Sequence, residues 1–119
     1  MRDYRKYDVW QKAHLLTLFV YKDVLPVLPK SEQYDLASQM KRAAYSIPMN
    51  IAEGGGRNTD KDFLHYLDMA SGSAHELEYI ALLAFDLKYF DVQKHEEVLL
   101  RLNEVKAKLI KLIKAIRKN

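Results

Sequence analysis

Val98, Leu102, Val105, Leu109, Leu112 and Ile116 follow one another at alternating intervals of four and three residues. At about 100° per residue this spacing draws one stripe along an α-helix; a strand, whose side chains repeat every second residue, cannot use it. The interval returns in three earlier segments, and no run of the chain alternates with strand period. Such a chain has four apolar stripes to bury. They can cover one another only by gathering around a common axis.

The first segment is expected to start with Asp8 as N-cap and to end before Pro26, with Val9, Ala13, Leu16, Val20 and Val24 in its stripe. In the second, Ser31 is the expected N-cap and Leu36, Met40, Ala44, Ile47 and Ile51 share a face. Thr59 and Asp62 form an approximate capping box for the third, which has the widest apolar face: Phe63, Leu67, Ala70, Ala74, Leu77, Ala81 and Ala84, broadened by Met69, Ile80 and Leu87. Asp91 can cap the fourth. The breaks LPVLPK, EGGGRN and residues 89–91 are short, and short connections make neighbours antiparallel. The sequence therefore predicts an all-α fold, an antiparallel up-down four-helix bundle, in one domain over residues 1–119. A chain of this length supports a single core, and it contains no repeat or linker that would divide it.

Cysteine is absent, which excludes disulfides, thiolate metal sites and cysteine nucleophiles and suits a reducing cytoplasm. The opening MRDYRKYD is too charged for a signal peptide, and no apolar run approaches the roughly 18 residues of a membrane span. A soluble, cytoplasmic protein that does not enter membranes is expected. One patch is surplus to the core: Leu15, Leu18 and Phe19 fall off the first stripe and form a candidate oligomer interface.

The stretch SIPMNIAEGGGR, Ser46 to Arg57, breaks the helical pattern with a proline and three glycines. Gln39, Arg42, Ser46, Asn50 and Glu53 form a polar stripe about 120° from the apolar one. Pro48 cannot donate to the carbonyl of Ala44, which is left to accept from water or a side chain. Glu53, near a helix C-terminus, needs a partner such as Arg57. One glycine is expected in the left-handed position that ends a helix. The segment is either a structural junction or an amide-lined anion site with Arg57 as its charge.

QMKRAAYSIPMNIAEGGGR followed by DFLHYLDMASGSAHELEY resembles the bacterial 23S rRNA intervening-sequence proteins, related to the accessory protein of diversity-generating retroelements. The matching positions include Ser46, Asn50, Glu53, Gly54 and Arg57, then Gly72, Ser73, Glu76 and Leu77. The resemblance implies a four-helix bundle assembled as a ring-like homopentamer and associated with structured RNA or other nucleic acid. It brings no catalytic site.

The net charge of +3 permits anionic partners without demanding them. Lys108, Lys111, Lys114 and Lys118 project from one side of the fourth helix and, with Arg57, are candidate nucleic-acid contacts; Arg2, Arg5, Lys6, Tyr4 and Tyr7 extend that surface. The same lysines would also serve as an ordinary solvated face. His75-Glu76-Leu77-Glu78-Tyr79 places Tyr79 where a zinc helix needs its second histidine, and no paired Glu-x-x-His motif occurs for a di-iron site. His14, His65 and His95 are expected at the surface or in grooves. With no nucleophile elbow at Ser46 or Ser73, the expectation is a non-enzymatic protein with no cofactor and no metal. Its partners would be copies of itself and RNA or DNA. The alternative is a scaffold that holds a protein partner on an exposed apolar helix face.

Overall fold

A computed structural model describes residues 2–118, in which four long helices carry the fold: α1 (Asp8–Phe19), α2 (Leu36–Gly55), α3 (Asp60–Asp86) and α4 (Val92–Arg117). No strand occurs among the described residues. α1 and α3 each lie between α2 and α4, in a body 45 × 24 × 19 Å. Cross-helix contacts fix the directions. Asp8 meets Lys108 and Lys12 meets Glu104 (3.3 Å), so advancing along α1 means retreating along α4. Glu78 with Lys106 (2.6 Å) and Asp68 with Arg117 (3.9 Å) set α3 against α4 in the same sense. Thr17 touches Ala44, and the Arg2 amide donates to Gly55 O at 3.2 Å, so α1 and α2 also run oppositely.

The expected stripes of α1, α2 and α3 are buried, as are Val98, Leu102, Val105 and Leu109 of α4. Beyond Leu109 the stripe moves from Leu112 to Ile113, leaving Leu112 and Ile116 half-buried. A strict seven-residue repeat drifts by about 20° per heptad on a 3.6-residue helix, so over the two heptads from Val98 to Leu112 the stripe turns by about 40° and its later members leave the core side. Ile80 joins the core of α3, whereas Met69 and Leu87 stay exposed. Phe19 corrects the expected interface patch, for it is buried, with the Arg101 guanidinium 4.3 Å above its ring. A single-stripe view of α1 misses this because α1 is covered by two neighbours, and Phe19 faces the second. Leu15 and Leu18 remain exposed.

Local chemistry explains the helix ends. Thr59 Oγ1 accepts from the Asp62 amide (3.1 Å) and Asp91 from the Lys94 amide (2.8 Å), both as expected of N-caps. Asp8 is instead the first helical residue of α1, preceded by Tyr7 without a side-chain cap, and its carboxylate is taken by Lys108. Ser31 is no N-cap either. It lies in a short 3-10 turn, and α2 begins at Leu36, whose amide is met by Glu32 Oε1 at 3.4 Å. Glu32 also accepts from the Tyr89 hydroxyl (2.7 Å), joining the α1–α2 connector to the α3–α4 turn. After Phe19 the chain stays helical but changes pitch, with a π turn over Val20–Val24 and a 3-10 turn through Pro26.

The proline in α2 finds its compensation on α1. Thr17 Oγ1 lies 3.1 Å from Ala44 O, the carbonyl that Pro48 leaves without a donor, and 2.9 Å from Ala13 O, so one buried hydroxyl proton serves both acceptors. No glycine takes the left-handed conformation expected at the end of α2. Gly56 has φ −83°, and the only non-glycine residue with positive φ among those described is Lys88 (63°), at the α3–α4 turn. Gly54 is needed for close approach instead: a Cβ there would fall 2.7 Å from Tyr66 Cβ and 3.0 Å from Phe63 Cδ1.

Two substitutions test these joints by urea unfolding. Thr17→Val keeps the shape and orphans the Ala44 carbonyl, and is expected to cost about 1–3 kcal/mol. Gly54→Ala forces α2 and α3 apart and is expected to cost about 1–3 kcal/mol. Wild-type stability in either variant would show that the corresponding joint carries no load.

Candidate nucleic-acid interface

The bundle gathers residues 2–12, 53–78 and 104–118 in one half, and these segments hold twelve Lys and Arg against nine Asp and Glu, while the rest of the chain holds seven against seven. The whole cationic excess of +3 therefore lies in this half. Much of the positive charge in this half is tied up. Arg2 pairs with Asp60, Arg5 with Asp3, Lys12 with Glu104 and Arg117 with Asp68.

The candidate lysines divide accordingly. Lys108 is half-buried against Asp8, whose hydrogen bond keeps its ammonium above the usual lysine range and holds the Asp8 carboxyl below the usual carboxylate range. Lys111, Lys114 and Lys118 are exposed, and no ion pair among the described residues engages them. They are spaced at three and four residues on the outer side of α4, a geometry that can follow a phosphate backbone but cannot read bases.

Arg57 is committed elsewhere. Its guanidinium donates to Tyr66 Oη, lies 4.8 Å from the Tyr66 ring and stands 3.9 Å from Glu53. The Gly56 and Arg57 amides donate to Glu53 O (3.1 Å) and Gly54 O (3.0 Å). The amide-lined anion site considered for GGGR is thus filled by the chain's own carbonyls, and the stretch is a junction.

The polar stripe faces α3. Gln39, Arg42, Ser46 and Asn50 line an open groove of about 800 Å³ with Ser73 and Glu76, whereas Glu53 lies at the turn with Arg57. Asn50 Nδ2 donates back to Ser46 O at 2.8 Å. Arg42 and Glu76 give the groove both signs, which suits a polyanion poorly. Of the histidines, His95 is buried rather than exposed, stacked 4.6 Å from Phe85 with Nε2 unpartnered. His75 Nδ1 lies 2.9 Å from Ser71 O.

Nothing in the sequence marks Thr17, because a threonine on an apolar face reads as filler until the helix opposite is placed. The tyrosines likewise read as packing at the core edge, while the structure leaves Tyr34 90% exposed.

Residues 5–111 match the model of the 23S rRNA-intervening sequence protein family. The chain belongs to that family. Its fold is shared by the crystal structure of a protein of unknown function from the S23 ribosomal protein family of Bacteroides thetaiotaomicron VPI-5482, with a TM-score of 0.82 and 24% identity over 89% of this chain and 95% of that one. No curated protein matches this family member. None of its described helices is long and apolar enough to cross a membrane.

Acid should expose the Asp8–Lys108 joint. Because the Asp8 carboxyl is depressed in the folded state, its contribution is complete above the ordinary carboxylate range and is lost as pH falls through the depressed value. Asp8→Asn is expected to be less stable than wild type near neutrality and to converge with it in strong acid. Parallel stability curves measured by circular dichroism at all pH values would contradict this.

Proposed function

We propose that this member of the intervening-sequence family is a non-enzymatic, homo-oligomeric bundle that acts in the cytoplasm and binds nucleic acid, RNA in preference to DNA, through its basic half. The observation that carries the proposal is the exposed set Lys111, Lys114 and Lys118, without an ion pair among the described residues, in the half of the molecule where cations outnumber carboxylates. Lysines in this arrangement neutralise phosphates and release counterions, so affinity should fall steeply with salt. The preference for RNA is supported by the family's name, which links it to ribosomal RNA. The likeness to the accessory protein of diversity-generating retroelements belongs to the same proposal.

Assembly multiplies a weak contact. In the homopentamer that the family resemblance implies, several lysine sets act together, and modest affinities per site combine into useful avidity. Leu15, 50% exposed, supplies apolar surface for self-association, whereas Leu18 (36%) opens onto the groove between α1 and α2 and Phe19 is buried. The same exposure supports the second proposal, a scaffold that holds a protein partner.

Filter binding of RNA at a series of salt concentrations tests the main proposal. Changing Lys111, Lys114 and Lys118 together to Gln is expected to weaken binding and flatten the log–log salt slope by about 0.7–0.9 for each phosphate no longer neutralised. No retention of RNA or DNA by wild type at low salt would refute it. For assembly, Leu15→Glu is expected to lower the mass in solution by light scattering; an unchanged oligomer that no longer holds a protein partner would favour the scaffold.

A further inference from the structure

Along the side shared by α1 and α2, two adjoining depressions are lined by charge of one sign only. The first, about 420 Å³, lies at the connector, where Lys30, Tyr34 and Lys41 stand around Leu25, Leu28 and Pro29. The second, about 590 Å³, runs between the helices past Trp10, His14, Tyr21, Tyr45 and Met49, with Lys22 beside it. Lys41 links them, its Nζ 5.7 Å from the centre of the Tyr21 ring. Neither depression is lined by an Asp or Glu, although the chain contains sixteen. Lys22, Lys30 and Lys41 take part in no ion pair among the described residues.

The rings beside those lysines are open. Tyr34 is 90% exposed, Tyr21 42% and Tyr45 37%, whereas a tyrosine in a small helical protein ordinarily buries most of its ring at the core edge. The backbone that carries Tyr34 is also braced. Pro26 and Pro29 stiffen the connector, and the Glu32–Tyr89 hydrogen bond (2.7 Å) anchors it to the far side of the bundle. Exposed rings on a braced backbone, beside lysines that enter no ion pair among the described residues and with no carboxylate in the lining, suit a ligand that is both planar and anionic.

We propose that the α1–α2 face binds single-stranded nucleic acid, with bases stacking on Tyr34, Tyr21 and Tyr45 and phosphates meeting Lys30, Lys41 and Lys22. This presupposes the nucleic-acid function proposed above and assigns it a second contact of different chemistry. In the depression beside Lys108 and Lys111 of α4 the one ring is Tyr7, half-buried against Phe63, so those lysines can hold any phosphate backbone, single or double. The α1–α2 face offers ring surface that only unpaired bases can use, and stacking tolerates any sequence because every base has a π face. From Leu36 to Ala52 the edge of α2 runs roughly 24 Å at 1.5 Å per residue, long enough for about four nucleotides.

The test uses the full chain with a fluorescent oligouridylate of about 12 nucleotides and an RNA duplex of the same length. Tyr34→Ala, which removes an exposed ring and should leave the melting curve unchanged, is expected to weaken the single strand about fivefold or more and the duplex by less than about twofold. Tyr34→Phe keeps the stacking surface and should restore single-strand affinity. Ultraviolet crosslinking is expected to place the oligouridylate on the peptides holding Tyr34 or Tyr45. Wild-type single-strand affinity in both Tyr34→Ala and Tyr45→Ala, or crosslinks confined to α4, would overturn the proposal while leaving the basic half as the nucleic-acid site. Failure of wild type to retain either RNA at low salt would defeat the wider function, and this face with it.

Discussion

Four apolar stripes buried around one axis leave each helix a fixed outward arc, and most functional candidates in this protein are a consequence of what lies on those arcs. α4 turns lysines outward because Val98, Leu102, Val105 and Leu109 turn inward. α2 presents polar groups towards α3 and aromatic ones towards α1 because its apolar stripe lies between the two. A chain with so few glycines and prolines has little freedom to re-aim a side chain locally. Its surface chemistry is therefore set largely by helix phase, and a change of one residue in phase would re-aim everything that helix carries outward.

Intervals of three and four residues make the helices legible, and with them most of the core, since a stripe is a property of one helix. Thr59 and Asp91 are legible as caps because capping depends on residues three apart. What escapes is whatever needs two helices at once. Phe19 reads as surface because its cover comes from α4, and Thr17 reads as filler because the carbonyl it serves sits on α2, opened by a proline 31 residues away. The glycines read as a reversal of the chain. Only the position of Tyr66 and Phe63 shows that Gly54 answers a problem of space rather than of dihedral angle.

The candidate interface is legible as a list of lysines and not as a surface. Periodicity places four of them on one side of a helix, but only the ion pairs separate Lys108, which holds α1 against α4, from the three that enter no ion pair among the described residues. The charge imbalance between the two halves is invisible in the composition, since it arises from bringing together three distant segments. The same holds for the absence of carboxylates from the lining of the α1–α2 face, which is a property of neither helix alone.

Glu32 has a mechanical consequence. One carboxylate caps the start of α2 with one oxygen and receives the Tyr89 phenol with the other, so the two turns at that pole are strapped together across the bundle. A load applied at either turn is shared by both, and the pole behaves as a rigid anvil beneath the backbone that carries the open ring of Tyr34.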